Sequence, residues 1–206
     1  EYRFFLKKKG LKGSTINNYL CWLSRLMFRA VSQRIIRYNP FEHAEYEKVE
    51  KAIRFLSKSD VKNLMAMKMC DSDAELARRM FIFSCFTSLA ITDMEHLMFG
   101  HIKSAADGQI YIRKERQKTK MEFIVPLHPI AKTIIEQQRQ LQAVKEESNN
   151  TNMDNRLIFQ PCCSRSVLAA KLNIVGKACG IKQRLSYHMA RHTFGTMCLS
   201  AGIPIE

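Results

Sequence analysis

Within Leu185–Gly202, LSYHMARHTFGTMCLSAG, an imidazole and a guanidinium stand three residues apart, at His188 and Arg191. On a helix both project from one face. That pairing suits a phosphodiester in transit. The arginine can hold two non-bridging oxygens at once, and the histidine can donate a hydrogen bond or relay a proton. A bare H-x-x-R also fits a solvated polar helix end, so the spacing alone does not choose between the two. His188 and His192 are four apart, as in helical zinc sites. No glutamate adjoins the first histidine and no third ligand is near, which argues against a metal. A third cation, Lys118, falls between two segments of alternating pattern, where an ordinary exposed hairpin lysine would also sit.

Elements able to position these residues are legible from periodicity. Ser14 is a candidate N-cap for a helix to about Val31, with Ile16, Tyr19, Leu20, Leu23, Met27 and Ala30 as its buried face. Lys7, Lys8, Lys9 and Lys12 precede it, Arg25 and Arg29 lie along it, and Asn39-Pro40 marks a turn. Glu42–Arg54 is highly charged and reads as an exposed linker. Beyond it, Ser57 with Asp60, Ser72 with Glu75 and Thr92 with Glu95 resemble capping boxes for helices ending near Met67, Phe86 and Met98. Gly108–Arg116 and Met121–Pro126 alternate with period two and predict a β-hairpin turning at Gln117–Lys120. Pro129–Val144 is helical, and Glu146–Asn155 is a polar loop. Ser166–Cys179 and Tyr187–Ala201 are helices stopped by Gly180 and Gly202. The expected fold is mainly α with one small antiparallel β-sheet, an α+β arrangement of a small basic helical domain followed by a larger one.

Composition narrows the partners. The 206 residues carry 33 Lys and Arg against 19 Asp and Glu, a formal net charge of +14. Such a surplus repels itself unless a polyanion neutralises it, and nucleic acid is the commonest one. No apolar run approaches the roughly 20 residues that span a bilayer. The seven cysteines (Cys21, Cys70, Cys85, Cys162, Cys163, Cys179, Cys198) are odd in number and lack C-x-x-C, so they read as reduced thiols of a cytosolic protein. The chain begins at Glu1 rather than Met and stops just after a helix, and both ends read as the ends of an excised segment or of an ordered region.

Four segments together resemble the tyrosine recombinase, or phage integrase, family, in integrases of the kind carried by conjugative transposons. His188–Thr196, H-x-x-R-H-T-F-x-T followed by a short apolar turn and Gly202, resembles the family's second conserved box. Phe86–Leu97, FTSLAITDMEHL, resembles the first, usually T-G-L-R-x-x-E-L. Arg116–Leu127, RQKTKMEFIVPL, is similar to the hairpin bearing the family's lysine. The pattern S-T-I-N-N-Y-L with N-P after it resembles the core-binding domain. The resemblance covers nearly the whole chain in the right order. It implies a SAM-like helical core-binding domain over residues 1–45, a linker over 46–54, and a catalytic domain over 55–206 that lacks its last helices.

The resemblance implies a site-specific recombinase. In that mechanism a tyrosine attacks the scissile phosphate, leaving a 3′-phosphotyrosine and a free 5′ hydroxyl, with neither nucleotide cofactor nor metal. Lys118 matches the general acid, His188 and Arg191 match the second box, and Asp93 matches the acidic position of the first, expected to orient a neighbouring basic residue. Two departures stand out. Ala90 occupies the place of the first arginine, and losing one such donor costs about 2.7–4 kcal/mol of transition-state stabilisation. Arg116 is the candidate replacement: two residues before Lys118, it would share a strand face with it, about 7 Å away at 3.3–3.4 Å per residue. The family's third basic residue and its tyrosine fall beyond Gly202, and Tyr187, inside the second box, is not a nucleophile candidate.

Duplex DNA is the implied partner, with Lys7, Lys8, Lys9, Lys12, Thr15, Arg25, Arg29, Lys120 and His192 as contacts and a tetramer on DNA as the assembly of the full-length protein. The implied location is the bacterial cytoplasm, on the nucleoid. Two other readings share these features: a non-catalytic DNA-binding regulator descended from a recombinase, which Ala90 favours, and a type IB topoisomerase.

Overall fold

The computed structural model describes residues 1–49, 53–145, 153–160 and 163–203, and of Lys145 the backbone only. Cys162, part of the charged linker and most of the polar loop after residue 145 lie outside the described residues. The chain divides into two compact units, Glu1–Ala52 and Ile53–Glu206.

The first unit is built on α1 (Tyr2–Lys8) and α2 (Gly13–Ser32). Lys7 and Lys8 are thus helical, an element the periodicity does not reveal. Helix α2 starts one residue before Ser14, with Lys12 at the N-cap and no side-chain cap. Its buried stripe is Ile16, Leu20 and Ser24; Leu23, Met27 and Ala30 are half-buried, and Tyr19 is exposed. The expected apolar face was too broad because the core of this unit is small: Leu6, Ile16 and Leu20, with Leu11 and Phe41 against them. The Asn39-Pro40 turn is held by the Asn39 side chain, which accepts from the Phe41 N–H at 2.9 Å and donates to the Ser24 carbonyl at 3.3 Å. Asn17 grips the backbone of Glu47 from both sides, donating to its carbonyl at 2.9 Å and accepting from its N–H at 2.7 Å. The linker's first residues are therefore docked on α2.

In the second unit the chain runs through α3 (Lys58–Ala66), α4 (Ser72–Thr87), α5 (Ile91–Glu95), β1 (Ile102–Ser104), β2 (Ile110–Glu115), β3 (Glu122–Pro126), α6 (Pro129–Lys145), α7 (Arg165–Ala178) and α8 (Tyr187–Ser200). The sheet is antiparallel in the order β1-β2-β3, with Glu115 opposite Glu122 nearest the hairpin turn. Strand β1 is too short to show a period and was not expected. Helix α4 is the axis of the unit: Met80 through Cys85 are all buried, and α3, α6, α7 and α8 pack around it. A helix apolar on every side can only sit in a core. Phe83, fully buried, meets the Phe159 ring edge-on at 5.2 Å between centroids.

Two of the three expected capping boxes differ from the structure. Ser57 and Asp60 do form one. Helix α4, however, is capped by Asp71, whose carboxylate accepts from the Asp73 and Ala74 N–H groups. Glu75 instead accepts from the Met69 N–H and pairs with Arg78 and Arg79. Burial pushes its carboxyl pKa up, but these donors outweigh burial and hold it below the ordinary value. Arg78 also donates to the Leu64 carbonyl at 2.7 Å, tying α3 to α4. Helix α5 starts after Ala90 without a side-chain cap, so Thr92 lies inside it. Its short length leaves Glu95 free to pair with Arg165 at the start of α7.

Phe83→Ala is expected to lower stability by about 3–5 kcal/mol, the usual loss for a fully buried aromatic. A denaturant titration followed by circular dichroism measures it, and a loss under about 1 kcal/mol would show that α4 is not the packing axis.

Candidate active site

Helix α8 presents the second-box residues. Ser186 caps it, accepting from the Met189 N–H at 3.3 Å. Met189, Ala190 and Thr193 face the core. This turns His188 into solvent on the first turn and leaves Arg191 and His192 half-buried. The His188 and His192 rings meet edge to face, 4.4 Å between centroids. Thr193, in the same motif, has a structural task that the motif does not reveal. Its hydroxyl donates to the Met189 carbonyl at 2.9 Å and accepts from the Leu56 N–H at 3.0 Å, fastening the start of the unit to α8.

The first-box segment supplies the opposite wall. Helix α4 ends at Ser88 in the left-handed conformation, φ 56°, a place where glycine is usual and a serine costs roughly 1–2 kcal/mol. Thr87 and Ser84 hold that corner by donating to the Phe83 and Leu89 carbonyls, both at 2.8 Å. Ala90 follows and ends no side chain in the site.

The hairpin brings the third element. Strand β2 ends at Glu115, and the Arg116 N–H closes onto the Met121 carbonyl at 2.9 Å. Residues 117–120 then turn, with Lys120 at φ 56°. Lys118 is therefore at the exposed tip of a turn and not on a strand, which overturns the expectation that alternation puts it on the face of Arg116. Arg116 itself does reach the site. It lines a cleft of about 240 Å³ together with Asp93, Arg191, Phe123, Phe194 and the Thr87–Leu89 corner, and its guanidinium lies 5.7 Å from the centre of the Phe123 ring. Arg113, one residue pair away, is committed to Glu122 at 2.7 Å. Among the described residues, Arg116, Lys118 and Arg191 form no ion pair, while Arg78, Arg79, Arg113 and Arg165 all do. Unneutralised guanidinium groups lining one cleft make a site for an anion such as a phosphoryl group.

Asp93 is 6% exposed, and its carboxylate accepts from the backbone N–H of Gln117 at 3.0 Å. It thus orients the turn that carries Lys118, where the sequence suggested that it orients a basic side chain. A side chain the sequence reading missed lies beside it: Lys114, buried on β2, donates to the His96 carbonyl at 2.7 Å. Burial lowers its pKa and the charge of Asp93 opposes the shift. Tyr187 is half-buried, its hydroxyl donates to the Ala77 carbonyl at 3.4 Å, and desolvation pushes its pKa up, all unsuited to a nucleophile.

In the first unit Lys8, Lys12, Arg25 and Arg29 are exposed, as is Lys120 in the second, and Thr15 is half-buried. Lys7 is paired with Glu47 at 2.9 Å, and Lys9 lies over the Phe5 ring at 4.7 Å. Trp22, 69% exposed, shares a face of α2 with Arg25 and Arg29 by helical spacing. An exposed tryptophan on a basic face was the one signal there that the sequence reading passed over.

The phage integrase family model matches residues 54–206, and the phage integrase SAM-like domain model matches residues 1–49. The chain belongs to the phage integrase family. No curated protein sequence matches it. Solved integrases share its fold. The Tn1549 transposon integrase (residues 82–397), in complex with circular intermediate DNA, is 16% identical with a TM-score of 0.71, covering 98% of this chain and 72% of its own. A lambda integrase dimer bound to a COC′ core site is 15% identical with a TM-score of 0.67, covering 97% and 55%. The integrase from mycobacterium phage Brujita is 20% identical with a TM-score of 0.54, covering 94% and 61%. In this family setting the two boxes and the hairpin are the three walls of the cleft just described.

Replacing Asp93 with alanine is expected to speed hydrogen exchange at the Gln117 amide by roughly ten- to a hundred-fold, since a hydrogen bond to a charged group contributes about 1.5–3 kcal/mol. Unchanged exchange there would mean that the hairpin turn is not held by Asp93.

Proposed function

We propose that this chain is the DNA-binding and phosphate-gripping part of a site-specific recombinase, which breaks and rejoins duplex DNA through a 3′-phosphotyrosine intermediate. The observation that carries the reading is the convergence of Arg116 and Arg191 on one cleft, with no carboxylate paired to either among the described residues. The tyrosine oxygen bonds to phosphorus as the bond to the 5′ oxygen breaks. Arg191 and Arg116 hold the non-bridging oxygens as their charge grows, Arg116 taking the part left open at Ala90. His188 donates a further hydrogen bond. Lys118, on the exposed turn, gives its proton to the departing 5′ oxygen. Asp93 keeps the turn in place.

The nucleophile comes from outside these 206 residues, since the one tyrosine in the second box, Tyr187, is half-buried with its hydroxyl bonded to the Ala77 carbonyl. Duplex DNA is the partner, met by Lys8, Lys12, Arg25 and Arg29 in the first unit and by Lys120 and His192 in the second. Lys7 joins them once phosphate displaces Glu47. Self-association on DNA and a bacterial cytoplasmic location belong to the same reading; among the described residues no helix is long and apolar enough to cross a membrane. A regulator without catalysis is the second reading, supported by Ala90. A tyrosine downstream in the full reading frame separates the two.

In the full-length protein, Arg116→Ala is expected to reduce cleavage of a suicide DNA substrate by about 100-fold or more while DNA affinity changes little, the mark of a contact made mainly in the transition state. Wild-type cleavage in that variant would remove Arg116 from the site. The 206-residue chain alone is expected to bind duplex DNA with steep salt dependence and to form no covalent adduct. An adduct at any of its tyrosines would overturn the assignment of the nucleophile.

A further inference from the structure

Strand β2 carries a lysine where a strand facing a core ordinarily carries an apolar residue. Lys114 is 7% exposed and points to the same side as Ile112, which is fully buried. Its ammonium donates to the carbonyl of His96, the residue that ends α5. A methionine of similar length would fill the same space without the cost of desolvating a charge. Packing therefore gives no reason for an ammonium here, and the reason must lie in what the ammonium holds.

What it holds is the base of the hairpin turn. The tie from Lys114 to His96 and the tie from Gln117 to Asp93 join the same two segments. They run in antiparallel register, the later residue of α5 meeting the earlier residue of the hairpin. Lys118 is the next residue after this doubly fastened stretch. With Gln117 alone fastened, the end of β2 could rock about a single point, and the turn tip would swing with it. With both ties made, Lys118 projects from a fixed base.

We propose that Lys114 is a positioning residue, which fixes the base from which Lys118 delivers its proton to the leaving 5′ oxygen. This rests on the reading of Lys118 as the general acid, and it predicts a loss confined to proton delivery. The experiment is single-turnover cleavage by the full-length protein of two suicide substrates. One has the ordinary 5′ oxygen at the scissile phosphate, and the other has a bridging sulfur there, which leaves as a thiolate and needs no proton.

Lys114→Met is expected to cleave the oxygen substrate about 30-fold more slowly than wild type, within the range of a general-acid contribution. On the sulfur substrate it should match wild type, with a thermal midpoint unchanged or raised. Lys118→Ala is expected to be slower still on oxygen and equally restored on sulfur. Slow cleavage of both substrates by Lys114→Met, or normal cleavage of both, overturns the proposal. If the methionine variant does not fold, Lys114→Gln, which keeps a donor for the His96 carbonyl, is read the same way and should fall between wild type and Lys118→Ala. If Lys118→Ala stays slow on sulfur, the general-acid assignment itself is wrong, and the route by which Lys114 is held to act goes with it.

Discussion

The burial of α4 on all sides is the constraint from which the rest of the second unit follows. Met80, Phe81, Ile82, Phe83, Ser84 and Cys85 are consecutive and buried, so over that stretch no face of the helix is left for water. Helices α3, α6, α7 and α8 have to surround it. The site is built at the exits of this arrangement. Where α4 ends, Ser88 takes the left-handed turn that starts the wall of the cleft. Where α8 packs on α4, its core face of Met189, Ala190 and Thr193 leaves His188, Arg191 and His192 on the outer side. Packing thus decides which way these side chains point.

Charge pairing differs from cation to cation. Several cations away from the cleft are paired: Arg78 and Arg79 share Glu75, Arg165 holds Glu95, Arg113 holds Glu122, and Lys171 holds Asp71. At the cleft, Arg116 and Arg191 have no such partner among the described residues, and the only carboxylate lining it, Asp93, is spent on a backbone N–H. Exposed ion pairs contribute little to stability, so their larger effect here is on where positive potential remains. Arg116 and Arg191 are thereby left as unpaired guanidinium groups on one cleft. The first unit shows the opposite case at Lys7, whose charge Glu47 already meets.

Helix α5 is the joint between these two themes. It is only five residues long, yet its acceptors hold the hairpin at two points, through Asp93 and through the carbonyl of His96. A short helix leaves its last carbonyl groups without partners inside the helix, and one of them is used to receive a buried ammonium. The hairpin is thereby coupled to the first box by polar contacts, while its tip, with Lys118 exposed, remains outside the core.

Much of this was determined by the sequence alone. Long helices with a strong period, the hairpin with its Gln117–Lys120 turn, and the glycines that stop α7 and α8 follow from local rules that act over a few residues. The spacing of His188 and Arg191 placed them on one helical face for the same reason. Tertiary structure decided the rest, because the deciding partners are distant in sequence. Asp71 rather than Ser72 caps α4, since Glu75 is drawn to Arg78 and Arg79. Tyr19 stays in solvent because α2 turns Ile16, Leu20 and Ser24, not Tyr19, toward the cluster with Leu6, Leu11 and Phe41. Arg116 reaches the cleft while Lys118 does not line it, because β2 ends at Glu115 and the chain turns there. Lys114 was invisible as part of the site, since nothing in an alternating strand pattern reveals that a buried position will hold an ammonium until the carbonyl of His96 is folded against it.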